Sequence, residues 1–390
     1  MALQLTGRSH RADDERNTTR TSRGATAGIA ARAQASEAQR RPHDDSIGAL
    51  IDAGIMQMLV PKRFGGHELG LDALAGVTRA VSSACLSTGW VTAFYIGHNW
   101  MLTKFPEQVQ REVWAERPFA LMPIQPSPEV RIKPVSGGYE ISGRSSFSSG
   151  IMHADWVIIA KAGSADARAF VVPIKDVRVE DVWHMSGMSG TGSNDVITEN
   201  LFVPAHRSVA TAELFNGTDS IHDNPLYAIP LLPFIYCEVM GVYCGGLEGA
   251  TAAYQTLMQN KVMTWGGDVL AQKQAVHINL GEAHARSCAA VTLLERLVAD
   301  TESYMQSRAF SLDTRLDLKM RAGYIADLCR EGVNALMARA GTKSFNLGAP
   351  LQRFFRDLNM LATHAFIDRD VAFELYGRHR LGLAPNYPLF

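Results

Sequence analysis

Residues 350–365, PLQRFFRDLNMLATHA, combine basic, acidic and imidazole side chains at helical spacing. The pattern predicts one helix that carries Arg353, Arg356 and Asp357 and presents His364 two turns after Arg356. An arginine fork can bind an oxyanion such as a phosphate in a bidentate way, and an imidazole can hold or move a proton near neutral pH. We therefore expect a cofactor-contacting helix here; an ion pair of either arginine with Asp357 or a neighbour is the alternative.

The segment GRSSFSSGIMHADW, residues 143–156, predicts a strand, a tight Ser/Gly turn and a second strand. We expect Phe147 to anchor the first strand while Ser148, Ser149 and the backbone near Gly150 face a ligand. Hydroxyl groups both donate and accept hydrogen bonds, although serines also serve routinely in β-turns without any ligand. The segment is a candidate cofactor-binding turn, with Ser149 as a candidate catalytic hydroxyl.

A third candidate lies in GWVTAFYIGHNW, residues 89–100, where His98 stands among aromatic side chains. Trp90, Phe94 and Tyr95 would suit a small aromatic ligand, and an imidazole near its normal pKa can accept the proton of a phenol. A histidine satisfied inside the core is the alternative interpretation. We take His98 as a candidate catalytic and substrate-binding residue, Phe94 and Tyr95 as substrate contacts, and Trp90 as a cofactor contact.

The run MSGMSGTGSNDVITENLFVPAHR, residues 185–207, holds closely spaced glycines and hydroxyls, with Thr191 and Ser193 as candidate cofactor neighbours. It lacks the third glycine and the following helix of a dinucleotide fingerprint. Ser127 is a further candidate for substrate binding. We expect no metal, since the sequence has no HExxH, no CxxC pair and no clustered ligand set.

Three regions with different periodicity must position these side chains. Residues 26–119 have helical patterns, residues 120–210 predict six to eight short strands, and residues 211–390 predict a bundle of four long helical segments. Residues 1–25 are rich in Arg, Ser and Thr, which predicts a disordered tail. The fold class is therefore α+β, with an N-terminal helical domain, a middle β-barrel-like domain and a C-terminal four-helix bundle.

The composition is that of a soluble globular protein long enough for two or three domains: 390 residues, 46% hydrophobic, 20% charged, with a formal net charge of -1. This balance gives no support to nucleic acid or an anionic membrane as a partner, and no apolar run approaches the roughly 20 residues of a transmembrane helix. The five cysteines are scattered without a CxxC pair, which favours a reducing compartment, and we expect a cytoplasmic protein.

These motifs resemble the acyl-CoA dehydrogenase superfamily and, within it, the oxygenase components of two-component flavin monooxygenases such as phenol and 4-hydroxyphenylacetate hydroxylases. The Arg-Asp helix resembles the superfamily's flavin-site helix, in which a glutamate base follows about two turns later. Here Ala365 stands at that position, beside His364. The FSSG run and the His, Asp and Trp after it resemble the monooxygenases' flavin-contacting turn, with Ser149 at the matching hydroxyl position. The replaced glutamate favours oxygen chemistry over removal of an acyl α-proton.

The resemblance implies reduced FMN or FAD as a diffusible cofactor and O2 as co-substrate, with a C4a-hydroperoxyflavin that hydroxylates a small phenolic or aromatic substrate. His98 would contact the substrate hydroxyl, Ser149 and His364 would hold the flavin adduct, and Gly341 and Thr342 would lie near the flavin, partly across a subunit interface. Because the sequence has no nicotinamide fingerprint, a separate NAD(P)H-dependent flavin reductase is the expected partner. The expected assembly is a homotetramer.

Three alternatives stay open. An acyl-CoA dehydrogenase would need a carboxylate base near the flavin, for which Glu374 is the next glutamate downstream. An oxygenase of the same fold that oxidises nitrogen or sulfur would not need His98. A flavin-binding relative without turnover would consume no oxygen in response to a substrate.

Overall fold

The structure, a computed structural model, describes residues 24–163, 167–217, 220–262 and 269–387. Residues 1–23 of the predicted tail lie outside the described residues, and residues 24 and 25 already belong to the first helix. The helices are α1 (residues 24–39), α2 (Asp44–Asp52), α3 (Leu71–Ala84), α4 (Leu86–Leu102), α5 (Glu107–Val113), α6 (Thr211–Asn216), α7 (Leu231–Asn260), α8 (Gln274–Ser307), α9 (Leu312–Arg339), α10 (Pro350–Leu361) and α11 (Arg369–Arg380). The strands are β1 (Ile124–Ser127), β2 (Arg131–Val135), β3 (Gly138–Ser148), β4 (Trp156–Lys161), β5 (Arg168–Pro173), β6 (Arg178–Glu180), β7 (Asn194–Pro204) and β8 (Ser208–Ala210).

The strands form two four-stranded sheets, in the orders β1-β4-β5-β8 and β2-β3-β7-β6. Along β4, Val157 and Ile159 join the core between the two sheets, while Ile158 and Ala160 join the helical core on the other side. Successive side chains of a strand point to opposite faces, so the unbroken apolar run of β4 reflects burial on both faces. The first sheet is therefore a middle layer between the second sheet and the helices.

Helix α7 lies at the centre of the helical part and contacts α3, α4, α8, α9 and α10. Small residues allow its closest approach to α3: a Cβ added at Gly245 would lie 2.2 Å from the carbonyl oxygen of Arg79, and one at Gly241 would lie 2.6 Å from that of Ala75. By length and apolarity α7 could cross a membrane, but 89% of its most apolar window is buried inside the fold. Packing in the core accounts for that composition.

The prediction of one helix over residues 350–365 is wrong, because α10 ends at Leu361 and a turn follows it. The carbonyl oxygen of Leu361 accepts a hydrogen bond from the Tyr243 hydroxyl at 2.5 Å. The side chain of Asp368 then caps α11 by accepting from the backbone N–H of Val371 at 2.9 Å. Tyr243 of α7 thus satisfies the last carbonyl group of α10, and α11 begins at its own N-cap. The helical pattern of the sequence is interrupted between the two helices.

The order of a helical region, a β region with eight strands and a second helical region is confirmed, as is the acyl-CoA dehydrogenase-like arrangement of these parts. The domain boundaries at residues 119/120 and 210/211 stay a prediction.

Candidate active site

A cavity of 590 Å³ lies where α4 and α7 meet the β region and the turn after α10. Its wall is mostly apolar, with a small number of hydroxyl, imidazole and carboxyl groups, as in sites that bind planar ligands. Seven of the residues proposed from the sequence line it: Trp90, Phe94, His98, Ser149, Thr191, Ser193 and His364.

His98 lies on the cavity-facing side of α4 and is only 4% exposed. Its Nδ1 is 2.6 Å from the carbonyl oxygen of Met122, which can only accept, so Nδ1 carries the proton and Nε2 is the acceptor of the ring. Phe94 stacks on the imidazole with ring centroids 5.1 Å apart. Burial lowers the pKa of His98 to about 4, which corrects the expectation of a normal pKa: the ring is neutral at neutral pH.

His364 has the opposite tautomer to His98, with the proton on Nε2. It lies in the turn after α10, where its Nδ1 accepts a hydrogen bond from the backbone N–H of Phe366 at 3.4 Å. The neutral ring therefore carries its proton on Nε2, which is a donor. Trp90 meets the imidazole edge-on at 5.3 Å, and burial lowers the pKa of His364 to about 4. The cavity thus contains one imidazole acceptor and one imidazole donor, both uncharged.

Ser149 ends a chain of hydroxyl groups. Thr191 donates to the carbonyl oxygen of Met188 at 2.8 Å, and its Oγ1 lies 2.7 Å from the Oγ of Ser193. Ser193 in turn lies 2.8 Å from the Oγ of Ser149. Because each hydroxyl has one proton, the chain runs from Ser149 to Ser193 to Thr191 to Met188, and Ser149 offers a lone pair to the cavity. The arrangement favours a ligand with an N–H or O–H donor at this point.

The residues around Ser149 differ from the expectation. Phe147 does not anchor the strand: it is 57% exposed, has a φ of 67° in the left-handed region, and lines the cavity. Ser148 does not face the ligand, because its Oγ is buried without a hydrogen-bond partner among the described residues and is absent from the cavity wall. Gly150, at φ 83°, lies behind the wall and accepts from the Tyr95 hydroxyl through its carbonyl oxygen. An irregularity in the β3–β7 pairing between Ser145 and Ser148 moves these residues out of simple alternation.

Tyr95 and Ser127 are not brought to the cavity. The buried Tyr95 hydroxyl is committed to Gly150, and the side chain holds the turn in place from behind. The Ser127 hydroxyl donates to the carbonyl oxygen of Arg144 at 2.7 Å and accepts from the backbone N–H of Glu129 at 3.1 Å. Both residues support neighbouring backbone in this chain.

The two arginines of α10 lie beside Glu37 of α1. Arg356 forms an ion pair with Glu37 and donates to the carbonyl oxygen of Ser186. Arg353 is 9% exposed, with its Nη1 3.8 Å from Glu37 Oε2, and that nitrogen has no hydrogen-bond partner within the described part of the chain. Neither guanidinium is part of the described cavity wall. Within this chain both arginines pair with an acid, as the alternative interpretation predicted, and that acid is Glu37 rather than Asp357.

Asp357 binds the loop that carries the hydroxyl chain. Its Oδ1 accepts from the backbone N–H of Met188 at 2.6 Å, and Met188 has a φ of 51° in the left-handed region. Burial raises the pKa of Asp357 to about 7, against the opposing effect of that hydrogen bond. The Arg-Asp motif therefore fixes the 186–191 segment from behind the cavity.

Gly341 and Thr342 are exposed at the start of a short 3-10 helix and do not line the cavity of this chain. Gly341 has a φ of 77°, and a Cβ there would lie 2.6 Å from the Lys261 Nζ. This region also exposes Phe345 and Leu347, at 58% and 72%.

Sequence reasoning missed Trp183 and Glu238. Trp183 lines the cavity, packs edge-on against Phe147 at 5.8 Å and donates from Nε1 to the carbonyl oxygen of Met188 at 3.0 Å. Glu238 is a buried acid in the wall, only 2% exposed. One signal could have found it, since Glu238 is the sole charged residue in the apolar run of residues 230–247, and an isolated acid in such a run is seldom buried without a reason.

The arrangement can bind a flat aromatic system between Trp90, Trp183 and Phe147 and can offer it hydroxyl and imidazole hydrogen bonds. Such a site suits the isoalloxazine of a flavin together with a small ring. Glu374, the base that an acyl-CoA dehydrogenase reading would use, is not in the wall and accepts from the Asn386 side chain at 2.7 Å.

Comparison with known families and relatives agrees with this geometry. Residues 13–118 match the N-terminal domain of acyl-CoA dehydrogenases, and residues 241–369 match their C-terminal domain. The chain is 42% identical to a pigment production hydroxylase of Rhodococcus sp. over 93% of its own length and 95% of that protein. It is 31% identical to the oxygenase component of an FADH(2)-dependent resorcinol hydroxylase of Rhizobium sp. over 93% and 94% of the two chains.

A solved structure of the same architecture is XiaF from Streptomyces sp., in complex with FADH2 and glycerol. It superposes with a TM-score of 0.91 at 25% identity and covers 98% of this chain and 99% of its own.

Proposed function

The chain belongs to the family of flavin-dependent monooxygenase oxygenase components built on the acyl-CoA dehydrogenase fold, and we propose that it hydroxylates a small phenol or related aromatic ring. The observation that carries the proposal is the neutral His98, whose Nε2 is an acceptor in the same cavity as the hydroxyl chain that ends at Ser149. A phenol needs an acceptor for its O–H, and partial transfer of that proton to the acceptor increases the electron density on the ring carbon that is to be oxidised. The acyl-CoA dehydrogenase alternative is not favoured, because the relatives are hydroxylases and Ala365 stands where its base would be.

Reduced FMN or FAD, when bound, supplies two electrons to O2, so that one oxygen atom enters the product and the other leaves as water. The donor set supports such a ligand: the Ser149 lone pair suits an N–H of the reduced ring, and Thr191 and Ser193 keep that lone pair oriented. Trp90 and Trp183 give the ring aromatic contacts. The mostly apolar wall limits access of water, which would otherwise divert the reduced oxygen to free peroxide.

His364 would donate a hydrogen bond from Nε2 to the oxygen that is reduced in the site. Its proton stays on Nε2 because Nδ1 accepts from Phe366, and its neutral state follows from its lowered pKa. His98 and His364 therefore have complementary roles, one as an acceptor for the substrate and one as a donor for reduced oxygen. Phe94, stacked on His98, would contact the substrate ring.

One relative's name and this chain's sequence support a separate electron source. The Rhizobium protein is the oxygenase component of its enzyme, and a separate NAD(P)H-dependent flavin reductase would deliver reduced flavin to this chain by diffusion. We place the enzyme in the cytoplasm, where its five free cysteines would stay reduced. The assembly would be a homotetramer, in which Gly341, Thr342, Arg353 and Arg356 could approach the flavin of a neighbouring subunit.

The test is anaerobic loading of the protein with chemically reduced FMN or FAD, followed by mixing with 18O-labelled O2 and a phenol. We expect the oxidised-flavin absorbance to return slowly and one labelled oxygen atom to appear in the product, with no reductase in the reaction. Immediate reoxidation, stoichiometric hydrogen peroxide and no label in any phenol tested would contradict the proposal. A sedimentation mass near four times 42.6 kDa would support the tetramer.

A further inference from the structure

Glu238 is an acid of the cavity wall that has no role in the proposed mechanism. It lies on α7 together with Leu231, Ile235 and Val239, and these four residues share one helical face that lines the cavity. Its side chain is 2% exposed. Of the described residues in the cavity wall Glu238 is the one carboxylic acid, and none of them is Lys or Arg.

The Glu238 carboxyl has unused hydrogen-bonding capacity. Its Oε1 is buried and has no hydrogen-bond partner among the described residues. Buried polar atoms in native proteins are nearly always paired; here the unpaired oxygen packs against Gly97 of α4, which leaves the other carboxyl oxygen available to a ligand in the cavity that Glu238 lines. Burial also raises the pKa of Glu238 well above its usual value, which favours the uncharged acid with an O–H to donate.

Helix α4 is shaped to accept this side chain. A Cβ added at Gly97 would lie 2.0 Å from Glu238 Oε1 and 2.6 Å from the carboxyl carbon, so only glycine leaves room for the carboxyl at this helix contact. Gly97 directly precedes His98, and Phe94 lies one turn earlier on the same helix. The acid of α7 and the imidazole of α4 therefore belong to neighbouring parts of the cavity wall.

The charge of the wall limits which substrates fit. An aryl carboxylate would enter a cavity whose described wall offers no Lys or Arg and contains an acid, and an unpaired buried charge is strongly disfavoured. An uncharged oxygen acceptor, by contrast, would satisfy both itself and the O–H of Glu238.

We propose that Glu238, in its uncharged form, donates a hydrogen bond to a second polar group of the aromatic substrate, an uncharged carbonyl or ether oxygen, and thereby selects such phenols over phenols that lack an acceptor at this position. This inference rests on the proposed function, because it assigns His98 to the phenol hydroxyl and Glu238 to a second oxygen. The specificity it describes is a property of binding, so it can be measured without turnover.

The probes are three phenols of similar size: 4'-hydroxyacetophenone with a carbonyl, 4-ethylphenol without an acceptor, and 4-hydroxybenzoate with a carboxylate. Equilibrium dialysis under anaerobic conditions, with reduced FAD present, gives the Kd of each for the wild-type protein and for Glu238→Gln and Glu238→Leu. In Glu238→Leu we expect the preference for the ketone over the ethyl compound to fall about tenfold, the range of one hydrogen bond. Glu238→Gln keeps a donor and should retain most of the preference, and the carboxylate should remain the weakest of the three ligands for the wild type and for both variants, because the described wall offers none of them a Lys or Arg.

Glu374→Gln serves as the control, because that carboxyl lies outside the cavity wall and bonds to Asn386; it should leave all three Kd values unchanged. An unchanged ketone preference in Glu238→Leu, or a wild-type protein that binds the carboxylate best, would overturn the inference. If either outcome is found but the wild type still places labelled oxygen in a phenol, the proposed function stands and only the role of Glu238 fails. If the preference falls tenfold but no labelled product forms with any phenol, the role of Glu238 in binding stands and the proposed function fails.

Discussion

The side chain of Asp357, on the last helix before the cavity turn, accepts a hydrogen bond from the backbone N–H of Met188 at 2.6 Å. Met188 belongs to the β region, and its carbonyl oxygen accepts from both Thr191 and Trp183. One carboxyl group of the helical region therefore fixes the loop that holds the hydroxyl chain and the aromatic side chain of Trp183 in place. A motif that resembles a cofactor contact acts, within this chain, as the support of the cofactor wall.

Loss of that support should weaken cofactor binding. In Asp357→Ala the buried N–H of Met188 loses its acceptor, which costs about 1–3 kcal/mol, and the loop should relax. We expect a lower urea midpoint and weaker binding of reduced FAD, whereas Asp357→Asn keeps an acceptor oxygen and should resemble the wild type. Equal effects of the two substitutions would show that the hydrogen bond is not what matters.

His98→Asn should lower the rate of phenol hydroxylation. The change removes the Nε2 acceptor, and we expect kcat to fall by about 10²-fold, at the lower end for one general acid–base group. Dialysis should show unchanged binding of reduced flavin, because His98 is assigned to the substrate. A variant that still hydroxylates phenols at the wild-type rate would show that His98 is not the acceptor of the phenol O–H.

The pH profile of kcat/KM should have its acid limb near pH 4. Burial lowers the pKa of both His98 and His364 to about 4, and the neutral rings are the active forms, so activity falls only as the pH drops through that value and not through 6.5. The same shifts destabilise the fold in acid: the unfolded chain binds more protons between pH 6.5 and 4, so stability decreases over that window as the pH is lowered. Rates measured with reduced flavin, and urea midpoints measured in parallel, test both statements; an acid limb at 6.5 would contradict the first.

Ser149→Ala should uncouple oxygen consumption from hydroxylation. It removes the lone pair that the hydroxyl chain orients toward the cavity, so we expect faster flavin reoxidation and a larger share of hydrogen peroxide. Ser148→Ala is the matched comparison, because the neighbouring hydroxyl is buried behind the wall and unpartnered. If Ser148→Ala uncouples the reaction as strongly as Ser149→Ala does, the assignment of the two serines is wrong.

The ion pair between Arg356 and Glu37 should contribute to stability. Both side chains are about one-fifth exposed, and a double-mutant cycle with Arg356→Gln and Glu37→Gln should give a coupling of about 1 kcal/mol, between the values for exposed and buried pairs. Flavin affinity measured on dissociated chains should not change in either single variant. A large loss of flavin affinity with Arg356→Gln alone would restore the phosphate-binding interpretation of this arginine.

Much of the site could be predicted because its members lie in short, distinctive runs. His98 with its aromatic neighbours and Ser149 in the FSSG run both line the cavity. Ser148 and Phe147, in the same run, exchange their expected roles, because an irregularity in strand pairing and a left-handed φ at Phe147 change which side chain faces inward. Strand alternation alone could not show this, since a single inserted residue reverses the faces.

By itself, the sequence determined the order of helical, β and helical regions, because hydrophobic periodicity and turn residues act locally along the chain, and its FSSG run and Arg-Asp helix carried the resemblance to the family. Only the tertiary structure decided which polar groups serve the site. Glu37, distant in sequence, forms the ion pair with Arg356. The carbonyl oxygen of Met122 sets the tautomer of His98. Gly97 leaves the space that the carboxyl of Glu238 occupies. Each of these outcomes depends on a partner from another element and on burial, which raises or lowers pKa values and leaves certain atoms unpaired. The spacing of residues along one segment specifies neither the partner nor the burial.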